Sequence, residues 1–246
     1  MSQMQIIAHR GNSVSCHENT MAAFERAVAN GADGIEFDVR LTKDRQWVVH
    51  HDADVAHGER LVLIQQLTLA DVMTLRVGPN RDPIPRMEDF LLWARGQSVA
   101  LVFDIKDHEG IPELVAAVER AGLSNPTLFS SFHRGDLKEL ESLRPGWHRG
   151  LILGDPRSRL ARRFLIGSIL RWSRRHRITS LHFAEHWILP SLIAEIQNAG
   201  IRVAVWTVDD PVRITLLAAL GVDGIITNCP DRAREVLRPL ADPTTR

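Results

Sequence analysis

Strand-like apolar runs and helix-like amphipathic segments alternate along almost the whole chain, and that alternation constrains the fold more than any other feature. The strand-like runs are at 5–9, 34–41, 100–106, 127–132, 149–153, 180–183, 202–208 and 224–227. Helix-like segments separate them at 20–30, 68–75 with 87–94, 111–121, 136–143, 157–175, 190–199 and 211–220, and a last one follows at 231–237. Gly31, Gly122, Gly200 and Gly221 stand just past four of these segments, where helix C-caps favour glycine. Strict strand–helix alternation argues for a parallel sheet with helical crossovers, and eight repeats of it argue for a (β/α)8 TIM barrel, with an open doubly wound sheet as the runner-up. One further run, 47–50, follows the second strand after a connection too short for a parallel crossover. It is expected to return as a short hairpin excursion and to carry His51 over the mouth of the barrel. With 246 residues, 44% of them hydrophobic, and no Pro/Gly/Ser-rich linker, the chain reads as a single domain over 1–246.

The polar residues that interrupt these runs are chemically suggestive. From Gly34 to Leu41 polar and apolar residues alternate, so Ile35, Phe37 and Val39 take one face while Glu36, Asp38 and Arg40 take the other. Carboxylates two apart on a strand are separated by about 6.6 Å at Cα, close enough to share one hard cation. The competing reading is a solvated strand face. It is weakened because Arg40 is the sole cation on that face and because His9, Arg10 and His51 end neighbouring apolar strands. His9 and His51 are proton-transfer groups, and Arg10 is a guanidinium suited to a phosphate. His50 alternates to the opposite face from His51 and reads as structural.

On the run from Ala100, Asp104 and Lys106 lie opposite Leu101, Phe103 and Ile105. Two opposite charges on a central strand are costly to bury unless they pair with each other or meet ions. Glu18 and Asn19 precede the first helix, where Asn19 or Thr20 serves as an N-cap. Trp206 at a strand end has core packing as its bland reading.

Taken as a set, Ala8-His9-Arg10-Gly11, Glu18-Asn19-Thr20, the stretch 31–44 and Val48-Val49-His50-His51-Asp52 resemble the glycerophosphodiester phosphodiesterase family. The likeness extends over nearly the whole chain and is weakest over 146–190. It implies an enzyme that hydrolyses glycerophosphodiesters to glycerol 3-phosphate and an alcohol. It further implies His9 and His51 as the acid/base pair, Arg10 and Lys106 on the phosphate, and Glu18 and Trp206 lining the substrate site. A divalent metal ion, Mg2+ or Ca2+ with Mn2+ also suited, would be held by Glu36, Asp38 and Asp104. Departures from the family's pattern are His17 for proline, Asp104 for glutamate, Asp209 for asparagine and Asn228 for aspartate. The alternatives are a related phosphodiesterase acting on lysophospholipids or phosphoinositides, and a catalytically silent barrel that binds phosphodiesters.

A formal net charge of zero argues against a nucleic-acid partner recruited by overall basicity. No Gly-rich phosphate loop is present, so a nucleotide cofactor is not expected. Cys16 and Cys229 have no metal-ligand spacing and are expected as reduced thiols. The absence of a leader-like segment or a bilayer-length apolar run gives a cytoplasmic expectation. One segment departs from the neutral whole: 157–177 holds Arg157, Arg159, Arg162, Arg163, Arg171, Arg174, Arg175 and Arg177 with no acidic residue. It reads either as an outer barrel helix or as an interfacial helix making peripheral contact with an anionic membrane.

Overall fold

In the computed structural model, which describes residues 4–154, 159–188 and 190–241, the alternating runs become eight parallel strands closed into a barrel. In chain order the strands are β1 (Gln5–His9), β2 (Gly34–Leu41), β3 (Trp47–Val49), β4 (Asp54–His57), β5 (Arg60–Leu63), β6 (Arg76–Val77), β7 (Asp82–Pro83), β8 (Ala100–Ile105), β9 (Thr127–Ser131), β10 (His148–Leu153), β11 (Ser180–Ala184), β12 (Arg202–Trp206) and β13 (Gly224–Thr227). The barrel runs β1, β2, then β8 to β13, and closes where β1 pairs with both β13 and β2. β3 is antiparallel to β2, with Val39 opposite Val49, as the short 42–46 connection requires.

The helices are α1 (Met21–Ala29), α2 (Leu69–Thr74), α3 (Met87–Ala94), α4 (Ile111–Ala121), α5 (Arg134–Leu143), α6 (Arg159–Arg175), α7 (Pro190–Asn198), α8 (Pro211–Ala219) and α9 (Pro230–Ala241). Thr20 is the N-cap of α1, its hydroxyl accepting from the Ala23 amide, so the Asn19 side chain is released from capping.

Apolar residues on the outward faces of the strands pack beneath the helices. An aromatic row tracks around this layer: Phe37 on β2 lies 4.4 Å from Phe90 of α3 and 4.5 Å from Phe103 on β8, and Phe103 lies 4.6 Å from Phe129 on β9. The barrel lumen is narrower and filled by Ile7, Val102 and Ile226. Polar residues on the inward faces therefore collect above this plug, at the C-terminal ends of the strands.

Between β3 and α3 the chain makes an excursion that the sequence pattern showed only as the helix at 68–75. It contains two antiparallel ribbons, β4–β5 and β6–β7, and α2 with a Thr68/Asp71 capping box. A separate small core of Val48, Val55, Ile64, Leu67, Val72, Leu75 and Ile84 supports it. The ribbons escaped the sequence reading because they have no continuous apolar face, and Leu61 on β5 is exposed.

The segment 157–177 begins outside the described residues. Its described part is an outer helix whose Ile166, Ile169 and Leu170 are buried, while Arg171, Arg174 and Arg175 are exposed. α6 descends from the end of β10 to the start of β11, so these three arginines lie at the opposite end of the barrel from the C-terminal strand ends. No helix among the described residues is long and apolar enough to cross a membrane. Cys16 and Cys229 are both free.

The aromatic row yields a stability prediction. Phe103 is fully buried between Phe37 and Phe129, so Phe103→Ala should cost about 3–5 kcal/mol. Leu92 on α3 is 61% exposed, so Leu92→Ala should stay within about 0.5 kcal/mol. Urea midpoints at unchanged m-value give both numbers, and equal costs would contradict the packing described.

Candidate active site

Strand register brings the carboxylates together. Glu36 is paired with His9 across β1 and β2, and Asp38 is paired with Asp104 across β2 and β8. Each side chain points into the barrel mouth because its neighbours Ile35, Phe37, Val39, Phe103 and Ile105 point outward into the helix layer. One oxygen from each of Glu36, Asp38 and Asp104 lies within 4.8 Å of the others, and all three residues are buried.

Two cations hold this cluster. Arg10 Nη1 donates to Glu18 Oε1 at 2.7 Å, and its Nε lies 3.1 Å from Asp38 Oδ2. Lys106 Nζ donates to Asp104 Oδ2 at 2.6 Å and stands 3.0 Å from Asp38 Oδ1. Arg10 and Asn19 have positive φ, 56° and 55°, which non-glycine residues adopt only where the surroundings impose it. At Gly11, φ is 85° and a Cβ would lie 2.6 Å from the Ala23 backbone, so only glycine lets the loop pass α1 this closely.

Electrostatics follow from the geometry. Burial, then repulsion from Asp38 and Asp104, pushes the Glu36 carboxyl well above the usual range. Burial also raises Asp104 to about 7, against the opposing pull of Lys106. Asp38 is buried too, yet Lys106 and Arg10 outweigh that burial and hold its carboxyl low. Lys106 is held above its ordinary value because Asp38 and Asp104 overcome its own burial. Asp104 Oδ1 is buried and accepts no hydrogen bond. Three close oxygen donors, one of them orphaned and two of them pushed toward protonation, suit a hard divalent cation.

The two imidazoles face the same space. His9 Nδ1 is 2.7 Å from Asn228 Oδ1, and burial followed by the nearby Arg10 lowers its pKa. His51 Nδ1 is 2.8 Å from Asp52 Oδ1, and its carbonyl accepts from Arg40 Nε at 2.8 Å. Arg40 is in turn fixed by Asp107 at 2.9 Å, which anchors the loop leaving β3. His50 turns away toward the Asp54 carbonyl.

A cavity of about 170 Å3 opens among these groups. His9, Arg10, Glu36, His51, Asp104, Lys106 and Trp206 line it, with Phe132, Ser130, Ile152, His182 and Ile226. Trp206 and Phe132 meet edge to face at 5.9 Å and form one wall. Of the residues singled out from the sequence, Asp38 lies beneath the lining under Arg10 and Lys106, and Glu18 stands outside it, steadying Arg10.

Several contributors escaped the sequence reading. Asn19, assigned there to capping, donates from Nδ2 to Asp38 Oδ2 at 2.7 Å and accepts from the Asp38 amide at 3.2 Å. His182 is buried on the inner face of β11, and burial keeps its pKa at about 4. Its alternation with Leu181 and Phe183 was the available clue. Phe132 follows β9 into the mouth.

The sequence profile of the glycerophosphoryl diester phosphodiesterase family matches residues 9–232. The glycerophosphodiester phosphodiesterase of Caldanaerobacter subterraneus subsp. tengcongensis is 31% identical over 249 aligned positions, covering 95% of this chain and 97% of that protein. Among solved structures, a glycerophosphodiester phosphodiesterase from Parabacteroides distasonis superposes with a TM-score of 0.84 at 27% identity, covering 98% of this chain and 99% of that one. An Oleispira antarctica phosphodiesterase in complex with the product sn-glycerol-3-phosphate shares the fold with a TM-score of 0.84 at 24% identity, covering 96% of this chain and 97% of that one. On the profile match and on this level of identity across nearly full length, the chain belongs to the glycerophosphoryl diester phosphodiesterase family.

Proposed function

We propose that this chain is a metal-dependent hydrolase that cleaves glycerophosphodiesters to glycerol 3-phosphate and an alcohol, with His9 as proton acceptor and His51 as proton donor. The observation that carries this reading is the cavity at which three buried carboxylates, two cations and two imidazoles converge. The name of the tengcongensis relative and the product held by the Oleispira phosphodiesterase agree with it.

A phosphodiester is an anion with a poor alkoxide leaving group, so its cleavage needs charge neutralisation, an activated nucleophile and a protonated leaving oxygen. A divalent cation held by Glu36, Asp38 and Asp104 would polarise a phosphoryl oxygen and acidify the attacking hydroxyl or water. Arg10 and Lys106 border the cavity and supply N–H donors for the remaining phosphoryl oxygens. His9 is the buried imidazole kept neutral, and with Nδ1 committed to Asn228 its Nε2 is left to take the proton of the nucleophile. His51 is tied to Asp52 through Nδ1, which leaves Nε2 to protonate the departing oxygen. Trp206 and Phe132 offer an apolar wall for the glycerol carbons. The exposed arginines at the foot of α6 face away from this cavity, and the reaction takes nothing from them.

The direct test is release of glycerol 3-phosphate from glycerophosphocholine, glycerophosphoethanolamine and glycerophosphoglycerol, with a lysophospholipid alongside. Turnover should stop with excess chelator and return with added divalent cation. Asp38→Ala should lose activity by at least about 1000-fold, because it removes a ligand and the partner of both Arg10 and Lys106. Activity within a few-fold of wild type, in that variant or under chelator, would refute the metal assignment.

His9→Ala and His51→Ala should each lower kcat by about 10²–10⁴-fold, whereas His50→Ala should leave it within a few-fold because His50 faces a backbone carbonyl. Equal damage from His50 and His51 variants would remove the distinction drawn between them.

Cation binding should also release protons. Asp104 titrates at about 7 in the metal-free fold, and Glu36 is raised as well. Between the ordinary carboxylate range and pH 7 these two carboxyls therefore hold more protons in the folded chain than in the unfolded one, so their own contribution to stability falls as pH rises through that window. A bound cation needs these carboxylates ionised, so affinity should rise with pH through about 7, where Asp104 loses its proton. Calorimetric titration in buffers of different ionisation enthalpy should detect more proton release at pH 6 than at pH 8.5. Equal release at both would contradict the raised carboxyls.

A further inference from the structure

Asn228 lies just past the end of β13, more than two hundred residues from His9, and both ends of its side-chain amide are engaged. Its Oδ1 is 2.7 Å from His9 Nδ1 and accepts from Ser13 Oγ at 2.8 Å. On the other side its Nδ2 donates to Asp209 Oδ2 at 2.6 Å. Asp209 is held in turn, because its Oδ1 accepts from the Asn228 backbone N–H at 2.8 Å and from Thr227 Oγ at 2.8 Å.

These contacts leave one consistent proton arrangement. A carboxylate can only accept, so the Asn228 amide must turn its NH2 toward Asp209 and its oxygen toward His9. An oxygen facing His9 Nδ1 requires that nitrogen to carry the hydrogen. The ring then presents a bare Nε2 to the cavity.

We propose that Asp209, acting through Asn228, is a positioning pair that locks His9 as the Nδ1–H tautomer, so that every turnover starts with a ring able to accept a proton at Nε2. Neither residue touches the substrate cavity. The proposal rests on the reading of His9 as proton acceptor given above, and it adds the device that keeps His9 ready.

An isosteric change inverts the lock. In Asp209→Asn the oxygen must stay where the Asn228 backbone N–H and Thr227 hydroxyl donate, which places the new NH2 against the Asn228 NH2. Two donors cannot face each other, so the Asn228 amide turns over and aims its NH2 at His9 Nδ1. Ser13 tolerates the turn, because its hydroxyl can accept from that NH2 while donating to the His9 carbonyl, 3.1 Å away. His9 Nδ1 must then accept, the hydrogen moves to Nε2, and the ring faces the cavity with the wrong end. Adding Asn228→Asp repairs the arrangement, since a carboxylate at 228 accepts both from the amide at 209 and from His9 Nδ1–H.

Two readouts test this on the full chain with divalent cation present. Steady-state kinetics with glycerophosphocholine should show kcat down by about 10²–10⁴-fold in Asp209→Asn, the range of a lost general base. KM should change little, and the double variant Asp209→Asn/Asn228→Asp should recover to within about tenfold of wild type. Histidine-labelled protein, with the His9 ring assigned by its loss in His9→Gln, should give nitrogen shifts of an Nδ1–H ring in wild type and double variant and of an Nε2–H ring in the single variant. Thermal midpoints of all three should agree within a few degrees, so that lost activity is not lost fold. A single variant that keeps the Nδ1–H ring, or a double variant no more active than the single, overturns the lock. Inversion and repair of the tautomer in a wild type that releases no glycerol 3-phosphate upholds the lock and overturns the acid–base reading instead.

Discussion

Three buried carboxylates forced together at the mouth of a barrel are the constraint on which the rest of the site depends. Glu36, Asp38 and Asp104 are buried within 4.8 Å of one another, where mutual repulsion and lost hydration both oppose ionisation. Arg10 and Lys106 relieve part of this, and the fold holds each of them in place. Arg10 is fixed by a left-handed backbone and a clamp from Glu18, and Lys106 by its position two residues beyond Asp104 on the same run of chain. They keep Asp38 ionised, while burial and mutual repulsion push Glu36 and Asp104 toward protonation. A hard cation at these oxygens would favour the ionised form of all three.

The barrel supplies the means of holding such an arrangement. Strand pairing fixes which carboxylates are neighbours, and the aromatic row beneath the helices fixes the strands. Above the plug of Ile7, Val102 and Ile226 there is room for polar side chains, and the excursion after β3 closes the same rim with His51. Arg40 and Asp107 pin that rim, which explains why the cation predicted to share the carboxylates' face takes no part in the cluster.

Much of this was legible in the sequence, for identifiable reasons. Period-two alternation revealed the inward faces of β2 and β8, and helix periodicity with trailing glycines revealed the crossovers, so the barrel and the Glu36/Asp38 pair could be read directly, while Asp104 joined them through the family resemblance. The β4–β5 and β6–β7 ribbons could not, because their side chains are largely exposed and carry no hydrophobic period. Asn228 stood out only as a departure from the family's pattern and Asn19 only as a cap, and the contacts they make were hidden for a different reason. An amide has no characteristic spacing, and their partners, Asp38 and His9, become neighbours only when strands far apart in the chain are laid side by side.

The order in which the chain contributes its parts divides the labour. His9, Arg10, Glu36, Asp38, His51, Asp104 and Lys106 all fall within the first four barrel-associated strands and their connections, whereas Phe132, Ile152, His182, Trp206 and Ile226 come from the later ones. The groups proposed to react thus belong to the N-terminal half, and much of the remaining cavity wall belongs to the C-terminal half. A substitution on the later strands would therefore alter the cavity wall without touching the charged residues of the earlier ones, except at Asn228, whose amide reaches back to His9.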